Sequence, residues 1–455
     1  MAAAPRRVLP VLGLVLLMSL PAFSQAGQPA AEPPAGGGFG FNLGIGIGVQ
    51  TFNDNPPPDS GVTYQSLSIL PDFSFGKLGI GLDLAVNYNF TGPNNSLHVR
   101  QEDWWPTNGV TFQHVLAIYL PKFAYVRWGQ KGDPLYLKAG SFNDATLGSG
   151  FIMGDYNNML FLPTERHFGL QADVDGALFN FPYVGAETVV GNLAKWDVMG
   201  IRAYARPLVD TPLPIINNLE IGLTVAADTA PYFETASTGS PSPVTVVGLG
   251  AQAPVIDQKD VFSMIAYTDV AEIQARTWGS MAGVGGRIIS IFTWGAQLRL
   301  LGGGFIPTYF GPGYDTQRDA EYDAIQNPVS GTTFGGLATL GTSLLGDTLV
   351  FKVELDGPFV TPETDPLLTR PHLNAILSLA PNVLPVFSFD FIYDKKAIGT
   401  FSDLVDATNA TIQAKLNLAS GPAVISFIYD ITYDRTHSPD PWVVTSGLQS
   451  SIALF

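Results

Sequence analysis

Residues 66–90 read SLSILPDFSFGKLGIGLDLAVNYNF. Taken by parity, Leu67, Ile69, Phe73 and Phe75 are apolar, while Ser66, Ser68, Asp72 and Ser74 between them are small or polar. After Gly76-Lys77 the apolar set becomes Leu78, Ile80, Leu82, Leu84, Val86, Tyr88 and Phe90, alternating with Gly79, Gly81, Asp83, Ala85, Asn87 and Asn89. A period of two marks a strand with one apolar and one polar face. Two such runs joined by a two-residue, glycine-containing link predict a β-hairpin. Strands of about five or six residues are usual in soluble sheets, whereas a tilted strand needs roughly ten to cross a bilayer. The hairpin therefore predicts two neighbouring strands of a membrane barrel.

The chain upstream agrees. Phe39, Phe41, Leu43, Ile45, Ile47 and Val49 alternate with Gly40, Asn42, Gly44, Gly46, Gly48 and Gln50. Glycines weaken an ordinary strand, but a pore wall or a crowded barrel interior can use them. Further upstream, Arg6 and Arg7, the apolar run Val8 to Leu20 and Ser24-Gln25-Ala26 predict a signal peptide over 1–26. Residues 27–38 are Pro/Ala/Gly-rich and predict a flexible tail. The barrel domain is expected over 39–455.

Downstream the same alternation recurs. Phe168 to Val174, Val184 to Val190, Met199 to Ala205, Leu219 to Val225, Phe292 to Leu300, Leu349 to Asp356, Leu373 to Leu379, Phe387 to Tyr393, Ile412 to Leu418 and Ile425 to Tyr433 all predict strands. Val115 to Trp128 is apolar without clear parity, and Gly311 to Thr333, with Tyr314, Arg318 and Tyr322, predicts a long polar loop. Short links near Gly76, Gly129, Gly346, Asn382 and Ser420 alternate with longer ones near Pro57, Asn94, Phe151, Ser237, Asn327, Glu363, Phe401 and His437. That rhythm belongs to an up-and-down barrel. The fold class is all-β: a transmembrane antiparallel up-and-down β-barrel of about 20 strands, within a range of roughly 16–20. No segment beyond the leader approaches about 18 uninterrupted apolar residues, so helical spanning is excluded.

Composition narrows function. The 455 residues carry only 14% charged side chains, no cysteine and a net charge of −16. Without cysteine there is no disulfide framework, thiol chemistry or Cys-ligated metal. A strongly acidic balance excludes nucleic acid as a partner, because phosphate binding needs a basic footprint. Of the five histidines, His98, His114, His167, His372 and His437, no two lie close enough in sequence for a metal motif. His372 and Ser378 share a face but stand about 20 Å apart along one strand, so enzymatic activity is not expected and no cofactor is implied.

With the apolar parity facing lipid, the other parity lines the lumen. It carries Asp72, Asp83, Asp173, Glu187, Glu220, Glu354, Asp356, Asp390, Asp394 and Asp430, together with Arg202, Arg206, Arg287, Arg299, Lys352 and Lys415. This lining has two readings: a hydrated, net acidic pore favouring cations, expected ahead of a packed lumen in which acidic and basic side chains neutralise one another and loops close the bore. The connection Asn143 to Arg166 contains the apolar stretch Met159 to Leu162, which would be costly in water. It is the candidate constriction, with Phe151, Tyr156, Met159 and Phe161 as its bulky residues.

On these features the chain, from Phe39 to Phe455, resembles bacterial outer-membrane β-barrel proteins of porin-like size. The resemblance rests on architecture. It implies an outer-membrane location, contact with the lipid bilayer, insertion by the barrel-assembly machinery and passive diffusion of small hydrophilic solutes. The family ends in an aromatic residue that the machinery reads, and Phe455 matches, although Ala453, Ser451 and Gln449 in phase with it are not bulky. Two other functions stand beside the channel. One is passage of hydrophobic molecules through a wall opening, at which Pro71 hints because it cannot donate to a ladder. The other is adhesion through the loops Asp228 to Pro243 and Gly311 to Thr333. Oligomeric state and the solute are not set by the sequence.

Overall fold

The structure is a computed structural model, described here for residues 39–453 apart from connecting stretches, of which 53–61, 233–241, 360–370 and 434–441 are the longest. The expected leader, the tail and Phe455 lie outside the described residues, as do the loop centres at Pro57, Ser237, Glu363 and His437.

One antiparallel sheet contains 22 strands. In chain order they are β1 (Phe39–Phe52), β2 (Val62–Phe75), β3 (Leu78–Leu82), β4 (Leu84–Thr91), β5 (Ser96–Val99), β6 (Phe123–Trp128), β7 (Leu135–Gly140), β8 (Gly169–Asp175), β9 (Val184–Val190), β10 (Val198–Ala205) and β11 (Glu220–Asp228). They continue as β12 (Val244–Gln258), β13 (Phe262–Ile273), β14 (Thr277–Ile288), β15 (Phe292–Gly302), β16 (Thr332–Leu344), β17 (Leu349–Pro358), β18 (His372–Leu384), β19 (Phe387–Lys395), β20 (Ala410–Ser420), β21 (Ala423–Tyr433) and β22 (Trp442–Ala453). From β6 onward each strand pairs with the next. Gly44 to Ile47 of β1 pair with Ser450 to Ala453 of β22, which returns the ladder to its first strand. The fold is an antiparallel β-barrel.

Two interruptions reconcile 22 strands with the expected twenty. β3 and β4 are one stave: both pair with β2 in a single register, Asp72 opposite Gly81 and Ile69 opposite Leu84. The stave breaks at Asp83, beside Pro71, and a proline has no N–H to give the ladder. β5 and β6 form the next stave, pairing with β4 and β3 in turn. Between them the chain leaves the wall after Arg100 and returns at Lys122. This excursion holds α1 (Phe112–Tyr119), capped by the Thr111 hydroxyl, which accepts from the His114 amide. The apolar run at Val115 is therefore helix first and strand only from Phe123, which is why it has no single parity.

The second helix, α2 (Tyr314–Gln326), replaces the expected polar loop. Asn382 lies within β18 instead of in a turn, and the link to β19 falls at 385–386. The rhythm of connections also departs from the expectation at two places. Residues 274–276 join β13 to β14 briefly at the long-connection end, whereas 206–219 form a longer link at the other end.

The alternation read from the sequence is present as burial. Ser66 and Ser68 are buried, while Leu67, Ile69, Phe73 and Phe75 are exposed on the other face. Ile201, Leu223, Leu249, Val270, Leu298, Leu340 and Phe351 continue that outer apolar surface around the barrel. An exposed apolar belt of this extent is a bilayer-facing surface.

Glycine has a definite job at Gly81. It pairs with Tyr125, whose ring passes over it so that the hydroxyl donates to the Asp72 carboxylate at 2.7 Å. A Cβ at Gly81 would stand 2.6 Å from that ring. Gly81→Ala is expected to displace Tyr125 and destabilise the barrel by about 1–3 kcal/mol. A lowered thermal unfolding midpoint in detergent checks this; an unchanged midpoint would show that the ring is free to move.

Candidate functional site

The interior is organised by the connection between β7 and β8, residues 141–168. Its contacts are spread around the ring. The Asp144 carboxylate accepts from Gln171 on β8 at 3.1 Å. The Gly148 amide donates to Glu187 on β9 at 2.9 Å, and the Ser149 hydroxyl to Asp269 on β13 at 2.6 Å. Lys352 on β17 reaches Asp155 at 3.1 Å, and Arg166 reaches Asp83 at the β3–β4 break at 2.6 Å. A segment tied to staves on such different sides of a barrel must cross its bore.

Gly148 is placed by both backbone and space. Its φ is +58°, a left-handed conformation that suits glycine, and a Cβ there would lie 2.7 Å from Arg202 Nε. Arg202 also runs past Gly222, where a Cβ would meet its guanidinium at 2.6 Å. The guanidinium is thereby enclosed and joined to Glu187 at 3.3 Å and Glu220 at 2.7 Å. Arg206 extends the chain of charges, bonding Glu220 at 3.2 Å and Asp175 at 2.6 Å.

The connection between β15 and β16, residues 303–331, folds in against the first. Met153 and Phe310 form a parallel bridge, and the amides of Thr308 and Phe310 donate to the carbonyls of Phe151 and Ile152. Phe151 stacks on Phe305 at 5.4 Å between ring centres. Around them lies an apolar core that includes Leu147, Tyr156, Tyr309 and Tyr314 and is completed by wall residues Val189, Val198, Ala226, Val246, Ile273 and Met281. These wall residues belong to β9–β14, so the core occupies that side of the bore.

α2 is held by charge. Arg318 contacts Asp315 at 2.9 Å, Asp197 at 3.1 Å and Asp228 at 3.3 Å, all buried. The Tyr156 hydroxyl donates to Asp315 and the Tyr314 hydroxyl to Asp228. His167 bridges the two connections, with Nδ1 3.6 Å from Asp315 and Nε2 3.2 Å from Glu165. Burial alone would lower the His167 imidazolium, but hydrogen bonds to Asp315 and Glu165 outweigh it and raise it to about 9. The same bond to His167 brings Glu165 down to about 2. On α2, burial pushes Glu321 up to about 8, against the opposing pull of Lys396.

The remaining inner wall, β15 to β21, is polar. Arg299 meets Asp356 at 3.0 Å, and Lys352 meets Glu354 at 3.3 Å. Asn417 donates to Ser388 and accepts from Ser426. His372 has both ring nitrogens on carboxylates, Nδ1 on Asp356 and Nε2 on Asp394, at 3.1 and 2.9 Å. Ser378 bonds Asp390 instead of His372. A histidine so occupied has no free nitrogen with which to activate a hydroxyl.

Most of the sequence-derived lining residues thus meet partners of opposite charge or a hydroxyl. Asp173 stands opposite Glu187 in register on the polar parity, and Arg287 is exposed near the short-connection end. Asp430 is placed by its backbone register alone. Phe151 and Tyr156 are 2% and 1% exposed within the core, whereas Met159 and Phe161 are half-buried outside it, Phe161 with its ring against His167. The polar-loop reading of 311–333 missed α2, although Tyr314, Arg318 and Tyr322 stand at the four-residue spacing of one helical face.

No protein-family model matches the chain and no curated protein matches its sequence. Among solved structures, the outer membrane protein OprD from Pseudomonas aeruginosa aligns over 91% of this chain and 92% of its own, at 10% identity and a TM-score of 0.29. Pseudomonas aeruginosa OpdL aligns over 92% and 99%, at 9% and 0.31, and Acinetobacter baumannii OccAB4 over 91% and 96%, at 9% and 0.30. Likeness at this level says nothing of solute, selectivity or site.

The raised His167 value gives a pH dependence of known sign. Its proton is bound more tightly folded than unfolded. The contact therefore stabilises fully below the ordinary value of 6.5 and is lost as pH rises through about 9. Proteolysis of the 141–168 connection should accelerate between these pH values and should lose that dependence in His167→Gln. A flat profile in the parent protein would remove His167 as an anchor.

Proposed function

We propose that the chain is a bacterial outer-membrane channel through which small hydrophilic solutes diffuse, with its bore narrowed by the connections 141–168 and 303–331. The observation that carries this reading is the division of the interior. An apolar core packs against β9–β14, while polar and charged side chains line the opposite wall from β15 to β21. A barrel of twenty staves is too wide for its own wall side chains to fill, so the inward connections narrow a path that water can still follow along the polar side. The leader over 1–26, export to the outer membrane and delivery by the barrel-assembly machinery through Phe455 belong to the same reading. The Gly76-Lys77 turn is then periplasmic.

Glu354, Asp356, Asp390 and Asp394 stand on the polar side against Arg299, Lys352 and Lys415, which favours a weak cation preference. Planar-bilayer recordings should show discrete conductance with a cation-selective reversal potential. Anion selectivity would overturn the acidic lining alone, and absence of conductance would overturn the channel. Arg318→Met strands three buried carboxylates, a loss of about 3–5 kcal/mol for such a break. Its expected phenotype is larger, noisier conductance in a barrel that still assembles.

A second reading, passage of apolar molecules through the wall, has an observation of its own. Leu84, Ala85 and Val86 have no ladder partner on the β5–β6 side, because that stave leaves the wall between Arg100 and Lys122. α1 lies within this excursion, and Gln113 donates to the Ala194 carbonyl at 3.1 Å. Phe168 and Val190, which parity turns outward, are only 6% and 4% exposed, and the Phe123 ring packs on Phe168 at 6.2 Å between centres. Replacing residues 101–121 with a short turn should change entry of an apolar dye if this reading holds, and leave it unchanged if the excursion is only a cover.

A further inference from the structure

The inner face of the opening hairpin holds a row of polar atoms with no partner among the described residues. Among the described residues Ser66 Oγ, Ser68 Oγ, Asp83 Oδ1, Asn87 Oδ1 and Asn89 Oδ1 have no hydrogen-bond partner, and each residue is more than nine-tenths buried. They are neighbours. Ser66 lies opposite Asn87 in register, Ser68 is two positions along β2, and Asp83, Asn87 and Asn89 share one stave. Buried oxygens left unpaired are costly, and five in one row are not an isolated packing fault.

Their surroundings define what the row lacks. Arg166 takes the other Asp83 oxygen at 2.6 Å. Asn87 Nδ2 donates to Asp103 at 2.8 Å, and Arg100 donates to the same carboxylate. That bond fixes the Asn87 amide, since a flipped amide would set its oxygen against Asp103. Tyr64 and His98 bring their rings to 6.4 Å from each other on the strands flanking Asn89. The nearby cations thus point at Asp83 and Asp103, and the open valences are mainly acceptors.

We infer that this row on β2 and the β3–β4 stave is a binding site for an uncharged, hydroxyl-rich solute of the sugar or polyol class. Such a molecule offers several O–H donors at short spacing, which acceptor oxygens and two serine hydroxyls can receive. An anion would meet the orphaned acceptors, and a cation would meet Arg100, Arg166 and Lys122. Among the described residues no cluster of metal-ligating side chains forms, and a single carboxylate is a poor cage for a hard ion. The inference narrows the proposed passage of hydrophilic solutes to a class, and rests on it only for the site's use in transport.

The test is calorimetry on the full chain folded in detergent, titrated with sorbitol and with gluconate. The two probes share a polyol chain and differ by a terminal carboxylate. Saturable sorbitol binding is expected, with gluconate at least about tenfold weaker. Asn89→Leu should weaken sorbitol about tenfold, as loss of one buried hydrogen bond does. If that variant fails to fold, the smaller change Ser66→Ala with Ser68→Ala should weaken it similarly while leaving the unfolding midpoint unchanged or raised. No saturable binding means the row holds ordered water only, and equal or tighter gluconate binding refutes the acceptor assignment; either result overturns the inference. Bilayer recordings separate the two proposals: conductance without sorbitol binding leaves the channel and removes the site, whereas binding without conductance does the reverse.

Discussion

Arg318 among Asp197, Asp228 and Asp315 is the interaction on which the interior depends. Charges this deeply buried are tolerable only when paired and hydrogen-bonded. Here three carboxylates share one guanidinium, with Tyr156 and Tyr314 supplying further donors. Asp228 ends β11, Asp197 lies in the link before β10, and Arg318 and Asp315 ride on α2. The cluster therefore welds an inward helix to the wall. Once α2 is fixed, Phe310 can bridge to Met153, and the first connection has a surface on which to lie. Apolar burial supplies the bulk of the adhesion, and the charges decide where it happens.

Much of the barrel was legible because a strand has only two faces. The parity of Leu67, Ile69 and Phe73 against Ser66, Ser68 and Asp72 fixes inside and outside at once, and the burial pattern of β2 repeats it. The apolar segment after Asn143 was legible as a cost that some surface must absorb. Pro71 was legible as a gap in a ladder, and it lies beside the break at Asp83. The wider interruption of the ladder one stave further on was hidden, because α1 and β6 run together as a single apolar string.

Which charge pairs with which could not be read. Arg202 stands opposite Thr224 and reaches Glu220 past Gly222, and Arg166 and Asp83 are joined only because a connection crosses the bore. His167 could not be read as an anchor because nothing near it in sequence announces Asp315, which is brought from α2. Strand periodicity reports the local chain, and cross-bore contacts depend on closure of the whole ring. α2 was missed for a related reason. Its inward face is Tyr314, Arg318 and Tyr322, polar enough to pass for a solvated loop until Asp197 and Asp228 are placed against it.

The bridge between Met153 and Phe310 has a consequence for how the molecule is made. Its two halves are separated by most of the central wall, β8 to β15. Contacts between such distant segments form late, after the intervening chain has been ordered. Until residues beyond β15 arrive, the 141–168 connection has its contacts with β8, β9 and β13 but not those with the second connection. Packing of the interior is then completed only by residues 303–331, and a chain arrested before residue 303 would leave Phe151 and Met153 without the Phe305 ring and the Phe310 bridge.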